Sequence, residues 1–120
     1  MVGRKANRSA WLIIQHADHD LKFQKKCLTF MEKAYHKNPK DIIPESIAFL
    51  IDRVRVNQGK KQIFGSQFYV KDGVFTYRPI ENFKNVDKKR REYGLTPFSE
   101  YEKIMKTWKP LTIKGYEQKP

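Results

Sequence analysis

Apolar residues recur along the chain at two different spacings, helical up to about residue 59 and again after residue 85, and strand-like from residue 62 to residue 80. Trp11, Ile14 and Ala17 fall close to one face, widened by Leu12 and Ile13, which predicts a largely buried helix over residues 7–17. Asp18-His19-Asp20 interrupts that pattern. Asp20 is placed to cap a second helix reaching about Tyr35, with Phe23, Cys27, Met31 and Tyr35 as its apolar stripe. Asn38-Pro39-Lys40-Asp41 reads as a turn, and Pro44 suits the first turn of a third helix. In that helix Ile47, Leu50, Ile51 and Val54 follow the i, i+3, i+4, i+7 template, and Gly59 ends it.

Between Gln62 and Ile80 the chain becomes rich in aromatic and β-branched residues around Asp72-Gly73, the signature of a two-strand hairpin. On its first strand Gln62 and Ser66 share a side with Phe64, Phe68 and Val70, while Ile63, Gly65, Gln67 and Tyr69 take the other. One glutamine therefore faces a buried or half-buried position, where an amide must find hydrogen-bond partners; a bound polar ligand is one way to supply them. Gly65 permits close backbone approach. Asn85 is expected to cap a short helix through Glu92, with Gly94 as its stop. Thr96-Pro97 then reads as a cap and first position of a last helix with Phe98, Tyr101, Met105 and Trp108 on its apolar side.

The predicted class is mainly α (α+β), three to five helices packed with a short antiparallel β-hairpin at about residues 62–80. At 120 residues one core is the expectation, a single domain over residues 1–110 with 111–120 as a flexible tail. Apolar content of 39% and aromatic content of 13% agree with a packed interior rather than a disordered chain. The longest apolar run, Ala10 to Ile14, is five residues, far short of a membrane span and too short for the core of an export signal. Cys27 is alone, which excludes an intramolecular disulfide and a thiolate-rich metal site and is compatible with a reducing, cytoplasmic location. Its place on the apolar stripe points to packing rather than nucleophilic chemistry.

A net charge of +12 draws the protein toward polyanions. The charge is evenly spread: residues 1–60 carry 12 basic and 6 acidic groups, residues 61–120 carry 13 and 7. Only Lys88-Lys89-Arg90-Arg91 is dense, and with Phe68, Tyr69, Phe75 and Tyr77 available for stacking it is the candidate nucleic-acid surface. The plainer reading is a solvated helix face, since no sequence-specific nucleic-acid motif occurs.

Candidate chemistry gathers in two places. Gln15-His16-Ala17-Asp18-His19-Asp20 offers imidazole and carboxylate groups that can exchange protons near neutral pH or bind divalent metals. His16 and Asp18, two apart, diverge on a helix and cooperate only where it bends or ends, and the zinc-helix spacing His-Glu-x-x-His is absent. No metal or cofactor is expected, Asp20 is better read as a cap, and His19 as a surface residue. The second cluster is Asp52, Arg53, Asn57, Lys60 and Gln62, where Asp52 and Arg53 form either a helix-surface pair or an internal ion pair tying the helix to the sheet. The six glycines are too dispersed to cradle phosphates, and no nucleophile elbow occurs.

Ala10-Trp-Leu-Ile-Ile-Gln-His-Ala-Asp-His-Asp20 and Asp52-Arg-Val-Arg-Val-Asn-Gln-Gly-Lys-Lys-Gln-Ile-Phe-Gly-Ser-Gln-Phe68 closely resemble the DUF6624 family of uncharacterised bacterial proteins. Pro79-Ile80-Glu81-Asn82, Val86-Asp87, Arg90-Arg91 and Gly94-Leu95 through Glu100-Tyr101 continue the resemblance, which covers about residues 3–101. It implies a bacterial origin, a mostly helical fold with a short hairpin, and no established activity. Matching motif positions implicates Gln15, His16, Asp18, Asp52, Arg53, Asn57, Gln62, Gly65, Gln67 and Arg91. Where many members have Tyr-Gly-Thr-Gln this chain has Phe64-Gly65-Ser66-Gln67, so a role for a phenol at position 64 does not carry over. Members usually carry further sequence before the equivalent of Val2-Gly3, which implies an abbreviated member or a fragment whose Trp11 region is open to self-association.

Together these observations lead to an uncharacterised protein with a site for a polar or anionic small molecule, formed by His16, Asp18, Gln62 and Gln67. Arg53 or Arg91 would engage an anionic group. Hydrolysis, with His16 as general base and Asp18 orienting it or a water, is the sharper form of this reading. Its rivals are a basic nucleic-acid-binding module and a structural or interaction protein whose polar residues hydrogen-bond one another.

Overall fold

The computed structural model describes residues 17–40 and 42–107. The expected helix over 7–17, apart from Ala17, lies outside the described residues, as do Gln15, His16, Trp108 and the expected tail at 111–120. Among the described residues are four α-helices, one β-hairpin and a 3-10 turn.

The first helix, α1 (Leu21–Lys37), starts where Asp20 accepts a 3.0 Å hydrogen bond from the Phe23 N–H, the capping role expected of it. Its inward face is rotated from the expected stripe. Leu21, Gln24, Leu28, Met31 and Tyr35 turn inward, leaving Phe23 42% and Phe30 71% exposed. Hydrogen bonding accounts for the rotation: Gln24 is fully buried because its amide meets Asp18 and Asn57, which an apolar count cannot register.

The second helix, α2 (Pro44–Asn57), has proline at its first turn and buries Ile47, Ala48, Leu50, Asp52 and Val54. Ile47, Leu50 and Val54 pack with Met31 and Ile42 to form one core, edged by Leu28, Ile51 and Tyr93. Full burial of a side chain such as Leu50 contributes about 1.5–3 kcal/mol. Gly59, at φ +77°, turns the chain out of the helix.

The hairpin is shorter than expected: β1 (Phe68–Lys71) pairs antiparallel with β2 (Val74–Tyr77), with Lys71 opposite Val74. Asp72 (φ 53°) and Gly73 (φ 78°) are both left-handed, the condition for the tight two-residue turn that Asp-Gly signals. Residues 62–66 do not extend the ladder: beyond the Arg78 N–H to Gln67 O bond at 3.0 Å, pairing resumes only at the isolated parallel bridge of Gln62 with Ile80.

The 3-10 turn Phe83–Asn85 leads into α3 (Val86–Glu92), and α4 (Phe98–Thr107) follows. Neither expected polar cap operates as foreseen. The Asn85 side chain makes no cap bond, because the 3-10 turn already feeds the chain into α3. The Phe98 N–H at the start of α4 is met at 2.8 Å by the Asp87 carboxylate from α3, a tertiary contact in the place assigned to Thr96. Phe98 and Met105 join Phe68, Phe75 and Val86 in a second, aromatic core. Its rings meet in stacked and edge-on pairs, such as Phe68 with Phe75 at 5.4 Å and Tyr77 with Phe98 at 5.0 Å. No helix among the described residues is long and apolar enough to cross a membrane.

Candidate functional site

A buried loop lacking regular structure must find other partners for its peptide groups. Residues 62–67 do so with side chains from three helices and from the loop itself. The Asp52 carboxylate, 0% exposed on α2, accepts at Oδ1 from the Ile63 and Phe64 N–H groups (2.8 and 2.9 Å). At Oδ2 it accepts from the Ser66 N–H and hydroxyl (2.9 and 2.7 Å). Burial pushes this carboxyl up from its ordinary pKa while the four donors pull it back.

The loop carbonyls are met as well. Phe64 O accepts from Arg90 Nη1 at 2.6 Å, and Ser66 O from the Tyr101 hydroxyl at 3.2 Å. Arg90, 1% exposed, also donates from Nε to Thr96 O at 2.6 Å and lies 5.0 Å from the Tyr101 ring centroid. Burial lowers its pKa, opposed by nearby Tyr101, Asp52 and Asp87. Gln62 acts as a piece of ladder: its Nε2 donates to Gln67 O and Arg78 O (3.0 and 2.8 Å), and its Oε1 accepts from the Gln67 N–H at 2.8 Å. Gly65, at φ +76°, has no room for a side chain, since a Cβ would lie 2.6 Å from the Phe98 ring.

A second network lies nearer the surface. Asp18 receives Arg53 on both carboxylate oxygens, through Nε at 2.8 Å and through Nη2, together with the Asn57 amide at 3.0 Å and the Gln24 amide at 3.2 Å. Asn57 also donates to Gln24 Oε1 at 3.0 Å. Burial alone would raise the Asp18 pKa, but these donors and the Arg53 charge bring it down to about 2. This carboxylate is an anchor between the start of α1 and the last turns of α2.

Residues 1–114 match the model of a family described as "Family of unknown function (DUF6624)". The chain belongs to the DUF6624 family. No curated protein and no solved structure matches it. The DUF6624 resemblance implicated Asp18, Arg53 and Asn57, which share the surface network, and Asp52, Gln62 and Gly65, which build the loop. Gln67 belongs to the loop through its main chain, and its Nε2 donates to Ser66 Oγ at 3.2 Å. Gln15 and His16 lie outside the described residues.

Several expectations for this DUF6624 chain change with the geometry. Asp52 ties its helix to the loop through backbone donors, while Arg53 faces the other way to Asp18, because neighbours on a helix diverge by about 100°. Gln62 spends its amide on the chain itself, and no hydrogen bond joins it to Asp18 among the described residues. The run Lys88–Arg91 is not one basic surface: Lys88 and Arg91 are exposed, Lys89 is half-buried and Arg90 is interior. Phe68 and Phe75 are core residues, which removes two of the four rings considered for base stacking. Burial pushes the Cys27 thiol up, away from a reactive thiolate. Among the described residues no three His, Cys, Asp or Glu side chains cluster to hold a metal.

Sequence reading missed Gln24 and Arg78, gave Ser66 no partner, and assigned Arg90 to a basic surface where the fold buries it. Gln24 and Arg90 had a detectable signal, lying at helical spacing from apolar neighbours (Leu21 and Leu28; Val86). Arg78 had none. Its guanidinium lies 4.4 Å from the Tyr69 ring centroid, and its carbonyl is held by Gln62. It borders an open groove of about 240 Å³ together with Val56, Gly59, Lys60, Lys61 and Pro79. Burial lowers the Arg78 pKa, and the like charge of Arg53 lowers it further. No carboxylate pairs with Arg78 among the described residues; Asp18 is paired with Arg53 and Glu81 with Arg55.

Proposed function

We propose that the protein binds a small polar anion in the open groove at the C-terminal end of α2. The observation that carries this reading is Arg78, a partly desolvated guanidinium on an aromatic ring with no carboxylate partner among the described residues. Lys60 and Lys61 add two cations to the same groove, and among the described residues no acidic side chain lines it. Arg78 feels the like charge of Arg53 with no carboxylate paired to it, and an anion entering beside it relieves that repulsion. A larger depression of about 340 Å³ between α1 and α2 is less suited, because Glu32 lines it and its Arg55 is already paired with Glu81.

The loop network supports this reading by explaining why Asp52 and Gln62 belong to the family motif: they hold Arg78 and the chain after Gly59 in register. Binding is favoured over hydrolysis. The Asp18 carboxylate, expected to orient His16 or a water, already accepts from Arg53, Asn57 and Gln24 and acts as a fixed anchor between helices.

A thermal-shift series with phosphate-, sulfate- and carboxylate-bearing compounds tests the proposal, since a ligand at 100 times its Kd stabilises the folded state by about 2.7 kcal/mol. Wild type should be stabilised by at least one anion class and Arg78→Gln should lose the effect; stabilisation unchanged in Arg78→Gln would refute the site. The net charge of +12 favours a second reading, non-specific nucleic-acid binding. That reading requires steep loss of affinity with salt and dependence on Lys88 and Arg91 rather than Arg78.

A further inference from the structure

The groove is lined by both cationic and apolar residues, and that combination narrows the ligand class. We infer that the ligand is an organic phosphate monoester, an inference that rests on the anion site proposed above. Three cationic side chains, Arg78, Lys60 and Lys61, with no lining carboxylate among the described residues, exceed what a single carboxylate would neutralise. They match the charge of about −1.5 to −2 and the three acceptor oxygens of a phosphate monoester at neutral pH. The guanidinium supplies a planar donor fork and the ammonium groups supply mobile point charges, the combination that suits phosphate. Stacking on Tyr69 and the Gln62 bond to the Arg78 carbonyl orient the arginine before any ligand arrives.

Val56 and Pro79 supply the apolar wall. They would cover the carbon skeleton of the ester, which inorganic phosphate lacks, so the ester should bind more tightly than the free ion. A phosphodiester backbone carries only one charge per phosphate and needs a continuous track of cations. The division of Lys88–Arg91 between exposed and interior positions breaks the densest such track in the chain.

Isothermal titration calorimetry with phenyl phosphate, benzoate, inorganic phosphate and a short single-stranded oligonucleotide tests this at fixed ionic strength. The expected order is phenyl phosphate tightest, inorganic phosphate weaker, and benzoate weakest. Arg78→Gln should weaken phenyl phosphate by about tenfold or more. The double variant Lys60→Gln/Lys61→Gln, confined to exposed side chains, should also weaken it and keeps the test valid if Arg78→Gln fails to fold. Arg91→Gln should leave it unchanged. Benzoate binding equal to phenyl phosphate, with both lost in Arg78→Gln, would overturn the phosphate assignment while leaving the anion site standing. Tighter oligonucleotide binding with a steep salt dependence would likewise overturn it in favour of nucleic acid. Absence of binding by every probe would overturn both the phosphate assignment and the anion site.

Discussion

Replacing Asp52 by asparagine keeps the shape of the side chain and removes half of its accepting capacity. Four donors converge on the carboxylate, two on each oxygen. Asparagine offers one oxygen and one NH2: turned one way its NH2 meets the Ile63 and Phe64 N–H groups, and turned the other way it meets the Ser66 N–H while the Ser66 hydroxyl can rotate to accept from it, so at least one buried loop donor is left unmet. A hydrogen bond to a charged acceptor contributes about 1.5–3 kcal/mol net, and leaving a buried donor unmet costs about 1–3 kcal/mol. Loss of the buried negative charge gives part of this back, because burial already disfavours the carboxylate. The balance is a destabilisation of about 3 kcal/mol, or on the order of 10 °C in Tm for a domain of this size. Urea unfolding followed by tryptophan fluorescence and by far-ultraviolet circular dichroism measures it, with Ser66→Ala as a companion that removes one bond and should cost about 1 kcal/mol. A loss below about 1 kcal/mol for Asp52→Asn, with an unchanged urea slope, would show that the loop does not depend on this carboxylate and would refute the argument.

Two further outcomes follow from the geometry. Gly65→Ala should destabilise by at least about 2 kcal/mol, combining left-handed strain with a Cβ 2.6 Å from the Phe98 ring, whereas Gly73→Ala, with open space around it, should cost only the strain of about 1–2 kcal/mol; equal urea midpoints for the two variants would contradict the packing account. Asp18 has a folded pKa lowered to about 2, so its ion pair stabilises fully above the unfolded value near 3.9 and is lost as pH falls toward 2. Because Asp18 is part-exposed, the contribution is at most about 1 kcal/mol, seen as a stability difference between wild type and Asp18→Asn at pH 6 that shrinks to a small remainder by pH 2, where the folded carboxylate is half protonated.

Much of the backbone plan was legible in local pattern. Asp20 caps α1, Pro44 opens α2, and Asp72-Gly73 makes the tight turn. Each depends on neighbours within a few residues, the range over which propensity and turn chemistry act. The inner face of α1 was not legible, since an apolar count selects Phe23 while the fold buries Gln24. Nor was the cap of α4, because Asp87 reaches the Phe98 N–H from eleven residues away. The family motif named Asp18, Asp52, Arg53, Asn57 and Gln62 without dividing their tasks between an internal loop scaffold and a surface ion-pair network.

Sequence alone determined the membership in DUF6624, the mainly helical class with one hairpin, and part of the polar set that forms the two networks. Only the tertiary structure decided which of those residues face one another. It turned Asp52 toward the loop and Arg53 toward Asp18, sent Arg90 inward and left Arg91 outside, and brought Arg78 to a groove with Lys60 and Lys61. The physical reason is range: periodicity and caps are settled by nearby residues. The partner of a buried charge or amide is whichever distant group the packed helices bring within about 3 Å, and the free energy of satisfying it appears only once water is excluded.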